Sequence, residues 1–439
     1  MSESFLCGAA RLKITPPEAL IPNLRGLQGL KFDGVLDDLY LRAILFKNGD
    51  YKILLLSFDL DKVPYPKENM EIISQKFQIS EKNIMFLSSH VHSAPVAGFR
   101  VNEGPNDTKN QKKEVRRATK KYEEFLTQQV IKAVEIAIDK LQEAKVGYGY
   151  GKSFINMCRN QDYFPTNDSA IKFGLGADLS KQISHTLFVL KIISSTGSNI
   201  AFFVNYPVHN CVMIQNKCGD KGNGLISSDI GGNSSQYLEK KFPDCVAMWT
   251  SGAAGDINPI FCNEIFYPDP ETGEQKQLFT NSKDFPLILL KTLSARHFAD
   301  ILSVIRNINS YNPEKDLAGY VKFIKTPGKN SDGTPSDVPY TIRVHLIKIG
   351  NFALFSFSGE LYSSLGEIVK KYSKALHTLV INHDASLMTL SGYIFDDEAL
   401  KKDRSFGLPG RRETVIEPGY VEEELKRTVN DLSEKAFRK

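Results

Sequence analysis

Three stretches of this chain run through the same order of patterns, and that recurrence limits the available folds more than any single motif. Residues 39–46 and 51–58 read as strands around Lys47-Asn-Gly-Asp50, an Asn-Gly hairpin signal. Residues 67–77 have helical apolar spacing, and 83–87 form a short β-prone run. Residues 186–193 and 199–206, a helix near 233–241 and a strand at 245–250 repeat the order. Residues 341–349 and 352–357, a helix near 361–372 and a strand near 386–390 repeat it again. The expected fold is α/β, with mixed sheets and packed helices, built from about three similar strand-strand-helix-strand units.

Equivalent positions in such units should occupy equivalent strand ends, where α/β proteins place reactive groups. The second strands end near Asp61, His209 and Glu360, and the third strands near His90, Ala253 and Tyr393. The spacing thus gathers imidazoles, carboxylates and a phenol at corresponding edges. Nitrogen and oxygen donors of this kind suit a catalytic zinc with one position left for water. His90 is followed two residues later by His92, which either acts on the substrate or orients His90. Asp61 could ligate, orient a ligand or end a strand. Glu360 at the head of a helix could also serve the helix dipole, and Tyr393 could be a core aromatic. His383, in Asn382-His-Asp384, reads as a loop histidine.

Between the units, residues 112–141 form a long helix with a basic start and an apolar stripe through Ile131, Val134, Ile138 and Leu141. The basic start reads as a solvated face, with anionic lipid headgroups as the minor reading. Residues 263–284 read as an inserted loop or lid, 294–308 as an amphipathic helix and 328–339 as a loop. The stretch after Pro17, to about residue 36, reads as loop-rich, and the tail as helical from about 421. No low-complexity linker divides the chain, so residues 1–439 are expected to form one catalytic domain.

Composition removes other classes. The 55 basic residues nearly balance 51 acidic ones, which leaves no nucleic-acid signature. No run of about 18 apolar residues is present, and the start lacks the basic and apolar regions of a secretion signal. The six cysteines form no Cys-x-x-Cys pair, so reduced thiols in a cytoplasmic protein are expected. Cys211 and Cys218 read as buried groups, with metal ligation as the alternative.

Taken together, Gly8-Ala-Ala-Arg-Leu-Lys-Ile-Thr-Pro-Pro17, Ser88-Ser-His-Val-His-Ser-Ala-Pro95, Cys158-Arg-Asn160 and Asn205-Tyr-Pro-Val-His209 give the chain a family resemblance. Ser227-Ser-Asp229, Gly255-Asp-Ile-Asn-Pro259, Gly359-Glu360 and Ser391-Gly-Tyr393 extend it. The ordered set resembles the catalytic domain of the neutral, non-lysosomal ceramidases. The resemblance implies a zinc hydrolase that cleaves an N-acyl amide, with His90, His209, Glu360 and Tyr393 as the metal ligands. It also implies catalytic roles for His92, Arg159, Tyr393 and Asp256, with His92 first choice to protonate the leaving amine. Zinc, Tyr393, His92 and Arg159 would face the oxyanion. Arg159 has the alternative of pairing with a surface acid.

Three features depart from the family. Its Gly-Asp-Val-Ser-Pro-Asn block stands here as Gly255-Asp-Ile-Asn-Pro-Ile260, with Asn258 in place of the serine. The region around Ser405-Phe-Gly407 is poorly matched, and no length remains for the family's C-terminal β-sandwich. The expected substrate is therefore ceramide or a ceramide-like amide, with peripheral membrane contact as a partner reading. The alternatives are zinc hydrolysis of a small amide, ester or lactone, and a binding homologue without turnover.

Overall fold

In a computed structural model of the chain, which describes residues 4–98, 104, 106–164, 166, 172–329, 334–384, 391–401 and 418–438, three antiparallel hairpins each continue into a helix and a parallel strand. The strands Tyr40–Asn48 and Tyr51–Phe58 close around Gly49, whose φ of 56° lies in the left-handed region that glycine adopts without penalty. The helix Pro66–Phe77 then crosses over, and Ile84–Ser88 runs parallel to the second strand with Ser88 opposite Phe58. Parallel neighbours need such a crossover because no tight turn can join them. Thr186–Ser194, Asn199–Tyr206, the helix Asp229–Lys241 and Val246–Ser251 follow the same course, with Ser251 opposite Tyr206.

The third course differs from the sequence reading. Residues 386–390 lie outside the described residues, as do Ser405 and Gly407. The strand running parallel to Phe352–Phe357 is His377–Ile381, reached through the helix Ser363–Tyr372. Ile381 stands opposite Ser356, so the end of this strand carries Asn382-His383-Asp384 rather than Tyr393.

The first two courses share an eight-stranded sheet, bridged at its centre by Phe5–Lys13 and Gln142–Lys152. The third lies in a four-stranded sheet with Leu317–Lys329 and Pro335–Ile349. Side-chain alternation explains how the layers stack. Ile44 and Phe46 face a core with Phe203 and Met248 of the same sheet and Phe352 and Leu354 of the other. Ala43 and Leu45 face the opposite way, onto Val130 and Val134 of the long helix Lys109–Asp139. Strands buried on both faces read as continuous apolar runs, which is the pattern seen here. Among the described residues no helix is long and apolar enough to cross a membrane.

Several loops of the sequence reading are strands. Phe5–Lys13, to which the sequence reading gave no element, pairs antiparallel with Tyr40–Asn48. Its small residues hid it, and they have a packing reason: a Cβ at Gly8 would lie 2.0 Å from the Ala137 carbonyl oxygen of the long helix. Residues 263–284 contain a hairpin, Glu264–Pro268 with Gln275–Phe279. Most of 328–339 extends a strand pair, with Gly328 opposite Ser336. The helix expected over 294–308 starts earlier, at Phe285.

Two buried polar networks lock these layers. Arg42 bonds Asp59 at 2.8 Å and Glu239 at 2.8 Å, and Arg11 reaches the same Glu239 at 2.8 Å. Glu239 sits on the Asp229–Lys241 helix, so this cluster ties the second helix to the first hairpin. Truncating one member leaves buried charge without a partner. Glu239→Leu is therefore expected to lose about 3–5 kcal/mol of unfolding free energy in urea titration. The second network centres on His297. Trp249 Nε1 donates to His297 Nε2 at 3.1 Å, so Nδ1 carries the proton and donates to Ser153 Oγ at 3.0 Å. Ser153 in turn donates to Asp300 at 2.8 Å.

Burial pushes the pKa of His297 down to about 3. Below its ordinary value near 6.5 the unfolded chain binds a proton here and the folded chain does not, so stability falls as pH drops from about 6.5 towards 3. In His297→Gln, the slope of stability against pH between about 6 and 4 is expected to flatten by up to about 1.4 kcal/mol per unit relative to the parent.

Candidate metal centre

The site forms where the strand ends of the three courses meet. His90 lies two residues beyond Ser88 and takes a left-handed backbone, φ 60°. Ser89 N donates to Phe58 O at 2.9 Å and Val91 N to Leu60 O at 3.1 Å, which fixes this turn on the neighbouring strand's continuation. The turn aims His90 Nδ1 at Asp61 Oδ1, 2.9 Å away. Asp61 is thereby placed to orient His90. His209 lies three residues beyond Tyr206, and its Nδ1 faces Ile257 O at 3.1 Å.

Asn210 holds the two turns together, a role the sequence reading missed. It is fully buried, and its amide donates to Ser89 O at 3.1 Å while its carbonyl oxygen accepts from Gly231 N at 2.9 Å. His92 N donates to the Asn210 main-chain oxygen at 3.1 Å. Asp229 steadies the following residues by accepting from the amides of Val212 and Met213 at 3.2 and 2.9 Å. Asp229 stands in a stretch of the family resemblance without a role, and Asn210 in none, because each acts through main-chain groups brought close only by the fold.

Glu360 and Tyr393 arrive together. The short strand Gly359–Leu361 pairs parallel with Ser391–Ile394, and Glu360 stands opposite Tyr393. Glu360 Oε2 lies 2.9 Å from His209 Nε2, and Oε1 lies 3.5 Å from His90 Nε2. Tyr393 OH accepts from Arg159 Nη2 at 2.8 Å. Arg159 is buried and does not pair with a surface acid. Its remaining contacts are Gly255 O at 2.7 Å, Asn258 Oδ1 at 3.1 Å and His209 Nε2 at 3.3 Å. Asn258, the departure noted in the sequence, thus accepts from the guanidinium.

The electrostatics separate the three histidines. Burial opposes charge on His90, yet Glu360 and Asp61 raise its pKa to about 10. Burial and then Arg159 lower His209 to about 4. His92, edge-on to His90 at 4.7 Å between ring centres, is pushed well below 6.5 by burial and by His90 and His209. Both of its ring nitrogens are buried without a hydrogen-bond partner. An ordinary pKa near neutrality, the reason for expecting His92 to be the proton donor, does not survive this environment. Asp256 also departs from expectation. Its two carboxylate oxygens accept from Ser363 N and Ser363 Oγ, both at 2.7 Å, so it anchors the start of the Ser363–Tyr372 helix instead of facing the histidines.

A cation fits this donor set on chemical grounds. His209 Nδ1 has only a carbonyl oxygen to face, so it holds the proton and Nε2 is a bare acceptor. That acceptor lies 2.9 Å from a carboxylate oxygen, which is also an acceptor. His90 Nε2, buried and without a hydrogen-bond partner, points to the same carboxylate. Such a cluster is satisfied by a metal ion between the groups. Ligand atoms of His90, His92 and His209, and those of His90, Glu360 and His383, each lie within 4.8 Å of one another. His383 was read as a loop histidine, and the misplaced third strand hid it. Cys211 is buried near this site, 3.6 Å from Asn258 Oδ1, while Cys218 is partly buried.

No family model matches this sequence, and no curated protein sequence does. Solved structures do match in shape. The neutral ceramidase from Pseudomonas aeruginosa superposes with a TM-score of 0.69 at 14% identity, over 99% of this chain and 75% of that one. A ceramidase described as complexed with C2 gives a TM-score of 0.70 at 13% identity, over 98% of this chain and 75% of that one. This chain has the mixed α/β fold of neutral ceramidase.

Proposed function

We propose that this chain is a zinc-dependent amidohydrolase of the neutral ceramidase type, cleaving the amide bond of ceramide or a ceramide-like N-acyl lipid. The observation that carries this reading is the convergence of His90 Nε2 and His209 Nε2 on the Glu360 carboxylate, at 3.5 and 2.9 Å. The amide substrate comes from the fold shared with the ceramidases.

His90, His209 and Glu360 would hold the ion, with Tyr393 as the phenol of the set. When bound, zinc supplies Lewis-acid activation of water and of the substrate carbonyl. The remaining steps belong to this chain's side chains. Asp61 keeps the His90 proton on Nδ1 and so keeps Nε2 free for ligation. Arg159, fixed by Gly255 O and Asn258, directs its guanidinium past Tyr393 OH to where negative charge develops on the amide oxygen. His92 is neutral, so it accepts a proton during attack and returns it to the departing nitrogen, without requiring a resting charge. Asp256 supports Arg159 at one remove, since Arg159 N donates to Asp256 O at 2.9 Å. Asn258 favours a second reading, in which the same machinery hydrolyses another amide or an ester, because a carboxamide stands where the family has a hydroxyl.

The test joins metal analysis to an assay over N-acyl amides and esters. One zinc per chain is expected, with hydrolysis lost in His90→Ala and Glu360→Gln and reduced about 10- to 100-fold in Asp61→Asn. Zinc-free protein, or hydrolysis indifferent to His90 and Glu360, overturns the reading. Because His90 binds a proton up to about pH 10 in the metal-free chain, metal must displace that proton. Chelator competition between about pH 6 and 8 is expected to show zinc affinity rising about tenfold per unit.

A further inference from the structure

His383 occupies the same place in the third course that His90 occupies in the first. Each lies two residues beyond the last paired residue of a parallel strand, Ile381 and Ser88. Each takes a left-handed backbone, φ 62° and 60°, which is uncommon for any residue but glycine. The two turns touch directly: Ser88 N donates to His383 O at 3.2 Å, and His383 N donates to Gly359 O, next to Glu360, at 3.2 Å. Their imidazoles lie face to face, with ring centres 3.9 Å apart and planes 14° from parallel.

That stacking decides between two roles. An imidazole ligand holds its metal near the ring plane, along the nitrogen lone pair, at about 2.0–2.1 Å. Two stacked rings with centres 3.9 Å apart and planes tilted by only 14° have planes that meet far beyond that reach. One ion cannot lie in both, although the ligand atoms of His90, Glu360 and His383 are within 4.8 Å of each other. His209 is free of this conflict, since its ring stands at 69° to that of His90.

We propose that His383 is a positioning residue for the metal centre: its ring face, not its nitrogen, holds His90 in the orientation that presents Nε2 to the ion. This rests on the zinc reading given above. Asp61 fixes the position of His90 Nδ1, through Oδ1 at 2.9 Å and its main-chain oxygen at 3.1 Å, but contacts at one ring atom do not set the rotation of the ring about them. The His383 face closes one side of that rotation, and His92, edge-on at 87°, stands against another.

The test uses the full chain, zinc and two substitutions. His383→Asn tolerates the left-handed backbone but offers no ring, whereas His383→Phe restores a ring without a ligating atom. Zinc affinity by chelator competition is expected to weaken about 10- to 100-fold in the Asn variant and to return to within about threefold of the parent in the Phe variant. X-ray absorption should count the same number of imidazoles on zinc in the parent and both variants. A count lower by one in either variant makes His383 a ligand and overturns the proposal. Unchanged affinity in the Asn variant overturns it as well, as does an Asn-like loss in the Phe variant. Should the Phe variant fail to fold by its melting curve, His383→Tyr takes its place under the same criteria. A parent chain that binds no zinc sinks the zinc reading itself, a result distinct from each of these.

Discussion

Two hydrogen-bond acceptors face each other across 2.9 Å at the centre of this protein, His209 Nε2 and Glu360 Oε2. Arg159 Nη2 donates to that nitrogen at 3.3 Å, but the carboxylate oxygen beside it gains no proton from the contact, which is costly in a buried site. The surrounding structure enforces it. Ile257 O fixes which nitrogen of His209 carries the proton, and the pairing of Glu360 with Tyr393 fixes the carboxylate. The arrangement has the donor chemistry of a candidate cation site.

Holding it requires backbone conformations that side chains rarely adopt. His90, Asp229 and His383 all have positive φ, at 60°, 54° and 62°. Such strain persists only where neighbours over-determine it. Here they do: the His90 turn is tied to the strand beside it and to Asn210, and the His383 turn to Ser88 and Gly359. The carboxylate of Asp229 takes three main-chain amides, including that of Ile230 at 2.8 Å. These turns are rigid because their main-chain donors are used up locally.

Further out, buried charge fixes how the courses sit relative to each other. Arg42, Asp59 and Glu239 join the first hairpin to the second helix. Arg343 plays a similar part in the third course, bonding Asp384 one residue after His383 at 2.5 Å, with Ser356 donating to the same oxygen at 2.6 Å. The ion pair thus anchors the base of the His383 turn.

The continuous apolar runs, with the Asn-Gly turn in the first, determined the first two courses almost residue for residue, since a strand buried on both faces can hardly read otherwise. The spacing of His90 and His209 from those strands, and of Glu360 from Phe352–Phe357, was legible for the same reason. Sequence alone did not locate His377–Ile381 as the last parallel strand. Short apolar runs on either side of Asn382 are equivalent by pattern, and only pairing with Phe352–Phe357 selects one. That choice brought His383 into the centre and left Tyr393 to enter beside Glu360. Tertiary structure also decided what each group can do. Burial lowered His92, turned Asp256 to Ser363 and gave Arg159 its four partners, because charge, proton and hydrogen bond depend on neighbours distant in the chain.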